Sequence, residues 1–370
     1  MPPYPTRPDS YDKAVGLCLQ GGGALGSYQA GAYEAMAGSA YLPDWVAGIS
    51  IGAINAALIA GNPPERRVER LRTFWERVTV PTGTLPLLAQ FGTRQSAAMA
   101  ATLFGQTGFF APRNPFEWFA AATPVSPYSL APLRETLEEL VDFDLINSRA
   151  VRLSVGAVQI ATGNLIYFDS HERRIGPEHI MASGALPPGF PPVEVEGMLY
   201  WDGGLVSNTP LEYMIDSQPR RSRLAFEVDL FNARGAVPQT LDEATERQLD
   251  IRYASRTRAG ATKVRETWDL RHMANSIYDM LPDDCRTTPE AQQLYRFGCI
   301  TEMDIAHLIY RPSQPQGGAK DYEFSGRTMR ERWEAGRADA EATLRAAPWL
   351  APMPPGHGAR AFDVQRPAGD

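Results

Sequence analysis

Twice in its opening stretch the chain runs from a short apolar segment into an abrupt turn and on into small residues with helical character. Ala14-Val-Gly-Leu-Cys-Leu19 stops at Gly21-Gly22-Gly23, and a helix is expected from about Leu25 to Met36. Trp45–Ile49 stops at Ser50, and Ile51-Gly-Ala-Ile-Asn-Ala-Ala-Leu-Ile-Ala60 follows at once. Strand, tight turn and helix, repeated, is the rhythm of an open α/β sheet. Further strands are expected at Arg152–Ile160 and Leu165–Asp169, joined by a Thr162-Gly163-Asn164 turn. Two more fit Gly197–Trp201 and Leu224–Leu230. The chain shows no internal repeat.

With 370 residues the chain suits two domains, or one large α/β domain with an extension. The divisions expected are a loose N-terminus (1–13), an α/β domain (14–235), a charged helical extension (236–347) and a loose tail (348–370). The last helix should start near Ser325, with Met329, Trp333, Gly336, Ala340 and Leu344 on one face. Residues 80–125 break the strand rhythm with many Phe, Leu and Met residues, few charges, and Pro and Gly between them.

Several classes fall away. Hydrophobic residues at 44% and charged residues at 21% are globular values, so the chain as a whole is not disordered. A net charge of −7 argues against a nucleic-acid partner. Cys18, Cys285 and Cys299 lack CxxC spacing and are expected as free thiols, with a Cys285–Cys299 bridge as the alternative. No H-E-x-x-H, CxxC or dense acidic cluster is present, so neither a metal nor a cofactor is expected. No secretory leader is legible, and Val46–Ala60, interrupted by Ser50 and Asn55, is shorter than the roughly 20 residues a span requires. The location expected is cytoplasmic, with peripheral membrane contact as the alternative. Nothing in the sequence fixes an oligomeric state.

Three motifs carry chemistry. In Gly48-Ile49-Ser50-Ile51-Gly52 a serine sits between strand and helix, on a turn tight enough to demand small neighbours and to expose its Oγ. The helix behind it favours developing negative charge. Gly21-Gly-Gly-Ala-Leu-Gly26 can converge backbone N–H groups on an anion, which fits an oxyanion upstream of a serine elbow. It also has the G-x-G-x-x-G spacing of a dinucleotide loop, with Asp44 as a downstream acid. In Trp201-Asp202-Gly203-Gly204 an acid ends a strand ahead of two glycines, which also describes an ordinary turn.

Taken in order, Leu19-Gln-Gly-Gly-Gly-Ala-Leu-Gly26, Gly48-Ile-Ser-Ile-Gly-Ala-Ile-Asn-Ala56 and Asp202-Gly-Gly204 resemble the patatin-like phospholipase family. Ala182-Ser-Gly-Ala-Leu-Pro-Pro-Gly-Phe-Pro-Pro192 is similar to its bacterial branch, and Asp242–Arg258 with Asp321–Gly326 to a C-terminal extension of one subgroup. The resemblance implies a three-layer α/β/α fold with a mixed central sheet. It implies Ser50 as nucleophile and Asp202 as its general base. An oxyanion hole would come from Gly21, Gly22 and Gly23 with Ile51, framed by Gly26, Gly48, Gly52, Gly203 and Gly204. Many relatives carry a basic residue where this chain has Leu25, which puts recognition of a lipid phosphate there in doubt.

The activity implied is serine hydrolysis of lipid or other acyl esters through an acyl-enzyme. Short hydroxyacyl oligoesters as substrates, or acyl transfer to an alcohol, are alternatives for the same site. Residues 80–125 read either as an insertion that thickens the core or as a cap over Ser50 that receives acyl chains or meets a lipid surface. A mechanistic alternative is a triad completed by His272, His307 or His357, while His171 and His179 read as structural. An alternative of another class is a nucleotide-binding module at Gly21–Gly26, and a third is an inactive scaffold.

Overall fold

The computed structural model describes residues 4–79, 105–113, 126–254 and 257–365. The first apolar run forms β1 (Ala14–Leu19) and the second β2 (Trp45–Ile49), parallel and paired with Leu19 opposite Gly48. Each feeds a helix. A 3-10 turn over Gly23–Gly26 leads into α1 (Ser27–Ala37), and Ser50 leads into α2 (Ile51–Ala60). Every residue of α2 is buried, which explains why it reads as a continuous apolar stretch too short to cross a membrane. Helix α3 (Arg67–Arg77) closes this unit.

Among the described residues the sheet has nine strands and mixed direction. β5 (Arg152–Gln159) runs parallel to β2, then turns at Gly163 (φ 69°) into the antiparallel β6 (Leu165–Asp169). A short hairpin, β7 (Val193–Val195) and β8 (Met198–Asp202), pairs antiparallel with the end of β5. On the other side, β9 (Arg223–Asp229) lies parallel to β1. A separate two-stranded antiparallel ladder is formed by β3 (Ala111–Pro112) and β4 (Tyr128–Ser129). Helices pack on both faces of the sheet, over two apolar layers.

Two expected divisions change. The C-terminal extension is not purely helical, because β10 (Met303–Ile309) extends the sheet beside β9. The tail is not loose either: Trp349 is buried against Tyr41 and Phe226, and β11 (Ala359–Phe362) pairs with β10. The start of the chain is tied to the same place, since Tyr11 and Lys13 both reach Asp304 on β10 (2.9 and 2.7 Å). Asp304 and His307 interrupt the apolar pattern of β10, and both are buried because each has an ionic partner. Arg360 holds Asp304 at 2.6 Å, and Glu227 holds His307 at 2.8 Å.

The last long helix, Gly326–Ala346, is capped by Ser325 as the sequence suggests. It crosses α1 at two glycines. A Cβ on Gly31 would sit 1.9 Å from the Trp333 carbonyl oxygen, and one on Gly336 1.9 Å from that of Tyr28. The extension is thereby packed into the α/β unit. Residues 80–104 and 114–125 of the expected cap lie outside the described residues.

Candidate active site

Strand register brings Ser50 and Asp202 to the same level. Ile49 pairs with Gly156 on β5, and the next β5 residue, Ala157, pairs with Asp202 on β8. Ser50 and Asp202 therefore face each other across one intervening strand. The space is kept open by small residues: a Cβ on Gly203 would meet the Gly156 carbonyl at 2.6 Å.

Ser50 sits at φ 56°, ψ −123°, a conformation that costs a non-glycine residue of order 1–3 kcal/mol. Its surroundings enforce it. A Cβ on Gly48 would fall 2.2 Å from the Gly52 carbonyl oxygen, and one on Gly52 2.2 Å from that of Leu19. The Ser50 N–H donates to Ser183 Oγ at 3.0 Å, and Ser183 donates to the Gly156 carbonyl at 2.6 Å. The Ser50 side chain is thus held clear of its own backbone and hydrogen-bonds the Asp202 carboxylate.

Asp202 is 2% exposed. Burial raises its carboxyl to about 7, against the opposing hydrogen bonds from Ser50 and from the Gly204 N–H (2.7 Å). A carboxyl titrating there can exchange a proton near neutral pH.

The glycine loop packs beside this pair. A Cβ on Gly21 would lie 3.1 Å from the Ser50 Cβ, and one on Gly26 2.6 Å from Ile51 Cγ1. Gly21 departs from the expectation that it donates to an oxyanion: its N–H is taken by the Asn208 carbonyl at 3.2 Å, while Asn208 Nδ2 returns to the Gly21 carbonyl at 3.0 Å. The N–H groups of Gly22 and Gly23 donate to no group among the described residues. Ile51 opens α2, where N–H groups lack intrahelical acceptors.

The nucleotide reading loses its acid. Asp44 stands at the start of β2, where its carboxylate accepts from the Val15 N–H (2.9 Å) and Arg223 (2.7 Å). The histidines are occupied elsewhere as well: His272 with the Thr301 carbonyl (2.8 Å), His307 with Glu227, His357 with Asp269 (3.1 Å). None of the three lines the cleft around Ser50. His307 also brings ligand atoms near Glu227 and Asp229, all within 4.8 Å, but its Nδ1 already faces Glu227. His179 is buried edge-on against Phe168. The three cysteines are free.

The cleft encloses about 630 Å³, counting its open mouth. Its walls carry many aromatic rings: Phe109, Phe110, Phe190, Phe231 and Phe324 line it together with Ser50 and Asp202. Phe109 and Phe110 are both buried, with Phe190 packed against each at 6.1 and 5.3 Å between ring centres. Sequence reasoning did not single out Ser183, Tyr253, Asp321 or Tyr322 as part of the site. The last three come from the extension, and burial pushes the Asp321 carboxyl up to about 6.

The sequence profile described as patatin-like phospholipase matches residues 17–215, more than half of the chain. The chain belongs to the patatin-like phospholipase family. A second profile, patatin phospholipase, matches residues 251–356 of this patatin-like protein, the part that supplies β10 and the far wall of the cleft. No curated protein matches it significantly. Among solved structures, VipD from Legionella pneumophila is 14% identical with a TM-score of 0.38, covering 90% of this chain and 66% of its own. Human GIVD cytosolic phospholipase A2 bound to methyl gamma-linolenyl fluorophosphonate is 11% identical with a TM-score of 0.42, covering 90% and 58%. The type III effector ExoU is 14% identical with a TM-score of 0.33, covering 90% and 53%. The patatin-like chain thus spans between half and two thirds of these proteins. Among its described residues no helix is long and apolar enough to cross a membrane.

Proposed function

We propose that this protein hydrolyses lipid acyl esters with Ser50 as nucleophile and Asp202 as its only proton acceptor. The observation that carries this reading is the strained Ser50 elbow, hydrogen-bonded to a carboxyl that burial has raised to about 7. Ser50 Oγ attacks the ester carbonyl carbon as its proton passes to Asp202. The former carbonyl oxygen, now an anion, is met by the N–H groups of Gly22 and Gly23, in the turn ahead of α1, and by that of Ile51 at the start of α2. Collapse breaks the carbonyl–alkoxy bond, and the Asp202 proton goes to the departing alkoxide. Water then attacks the acyl-enzyme as Asp202 takes its proton, the acyl–Oγ bond breaks, and Asp202 returns that proton to Ser50 Oγ as the free acid leaves. Placed donors in a largely apolar cleft are each worth more than they are in water.

The phenyl-lined walls suit an acyl chain. Leu25 is buried where many relatives carry a basic residue, so neutral esters and lysophospholipids suit the loop as well as diacyl phospholipids do. Labelling with a fluorophosphonate probe, followed by peptide mass spectrometry, tests the reading. Modification should map to Ser50 and vanish in Ser50→Ala; labelling elsewhere, or none, would overturn it.

A further inference from the structure

The opposite end of the sheet carries a second cleft, of about 950 Å³ counting its open mouth. It is formed where three strands begin: Asp44 and Trp45 at β2, Arg152 at β5 and Arg223 at β9. Five arginines line it against one carboxylate, in a chain whose net charge is −7.

The arginines fall into two sets. Arg152 and Arg223 are fixed. Arg152 lies 3.7 Å over the Trp45 ring and is held by Asp169 at 2.7 Å, while Arg223 lies 5.0 Å over the same ring and is held by Asp44 at 2.7 Å. The side chains of Arg149, Arg220 and Arg221 make no ion pair among the described residues. The Nε of Arg220 is buried without an acceptor among those residues, and so is the indole N–H of Trp268, which also lines the cleft and is 1% exposed. Buried donors without acceptors are costly, and an anion supplies acceptors to all of them. His171 senses the same field: burial, then the charges of Arg152, Arg149 and Arg221, hold it below the usual imidazole range.

We propose that this cleft binds a soluble phosphorylated ligand carrying two or more negative charges, gripped by Arg149, Arg220 and Arg221 against the fixed guanidinium groups of Arg152 and Arg223. Guanidinium forks match phosphoryl oxygens in geometry as well as charge. The ligand is not a substrate of the Ser50 cleft. The five residues of β2 separate the two sites by roughly 17 Å, at about 3.3 Å per residue. The position also favours a soluble source over a lipid headgroup, because a membrane that meets the aromatic cleft lies at the other end of the sheet.

Calorimetric titration of the full chain with inorganic pyrophosphate and with ADP, at fixed ionic strength, tests this. One-to-one saturable binding is expected, weakened about tenfold or more in Arg220→Ala/Arg221→Ala by loss of charge-assisted hydrogen bonds. The same binding should persist in Ser50→Ala, so the outcome is independent of the hydrolase reading. Absence of saturable binding, or an unchanged Kd in the double variant, overturns the proposal. Sedimentation with phosphatidylglycerol vesicles that depends on Arg220 and Arg221, without pyrophosphate binding, overturns the soluble source. Should the double variant fail to fold, Arg149→Gln, on an exposed side chain, supports the same comparison.

Discussion

The backbone N–H of Ser50 donates to the hydroxyl of Ser183 at 3.0 Å, and Ser183 spans from there to the Gly156 carbonyl on the neighbouring strand. This contact has a functional consequence. The Ser50 amide is withdrawn from any oxyanion role and becomes the anchor of the elbow instead. Ser183 is the last residue of a helix, Pro177–Ser183, so the elbow is braced by an element over a hundred residues downstream.

Ser183→Ala should therefore weaken both fold and turnover. The orphaned N–H costs about 1–3 kcal/mol, and the loosened elbow should lower kcat more than it raises KM. Thermal unfolding and steady-state kinetics on p-nitrophenyl esters check the two effects together.

The raised Asp202 carboxyl makes two pH predictions. As a base it must be ionised, so kcat/KM should climb through about pH 7 and then level. Stability runs the other way. The folded state keeps a proton that the unfolded chain releases near pH 3.9, so this contribution is complete below that pH and is lost as pH rises through about 7. Asp202→Asn should accordingly unfold at a higher temperature than the unmodified protein in mildly alkaline buffer, and at nearly the same temperature in acid. Asp321, in the same cleft, titrates near 6, so only the difference between the two proteins isolates Asp202.

The cleft aromatics predict a chain-length effect. Phe109→Ser with Phe110→Ser should raise KM for long-chain esters much more than for acetate or butyrate esters, because their rings line the cavity with Phe190. Equal changes for short and long esters would place both rings outside the acyl path.

Truncation tests the integration of the C-terminal part. A chain ending at residue 235 loses β10, exposes β9 as an open edge and uncovers α1 where Gly31 meets Trp333. It should not yield soluble folded protein. Gly336→Val, which drives a side chain into the Tyr28 carbonyl, should destabilise the full chain by about 3 kcal/mol or more. Denaturant titration measures it.

The parts legible in the sequence were those with local signatures. β1, β2, the Ser50 elbow and Asp202 are each written in a few consecutive residues, and the structure brings them together through strand register. The parts that escaped are written in distant pairs. β10 looks unlike a strand until Asp304 is seen with Lys13, 291 residues away, and His307 with Glu227. Asp321 and Tyr322 reach the cleft only because the last helix docks on α1, a contact made by backbone approach at two glycines that no apolar pattern announces. The engagement of the Gly21 N–H by Asn208 is likewise invisible in a glycine run.

The most direct measurement is kcat/KM for p-nitrophenyl butyrate in Ser50→Ala, Asp202→Asn, their double variant, and His272→Gln, His307→Gln and His357→Gln singly. If Ser50 and Asp202 act as one unit, each single variant should fall by about 10³-fold or more and the double variant no further. The histidine variants should stay within about tenfold, or roughly 1.4 kcal/mol. Retention of activity in Asp202→Asn, or collapse in any histidine variant that remains folded, would contradict a two-residue site.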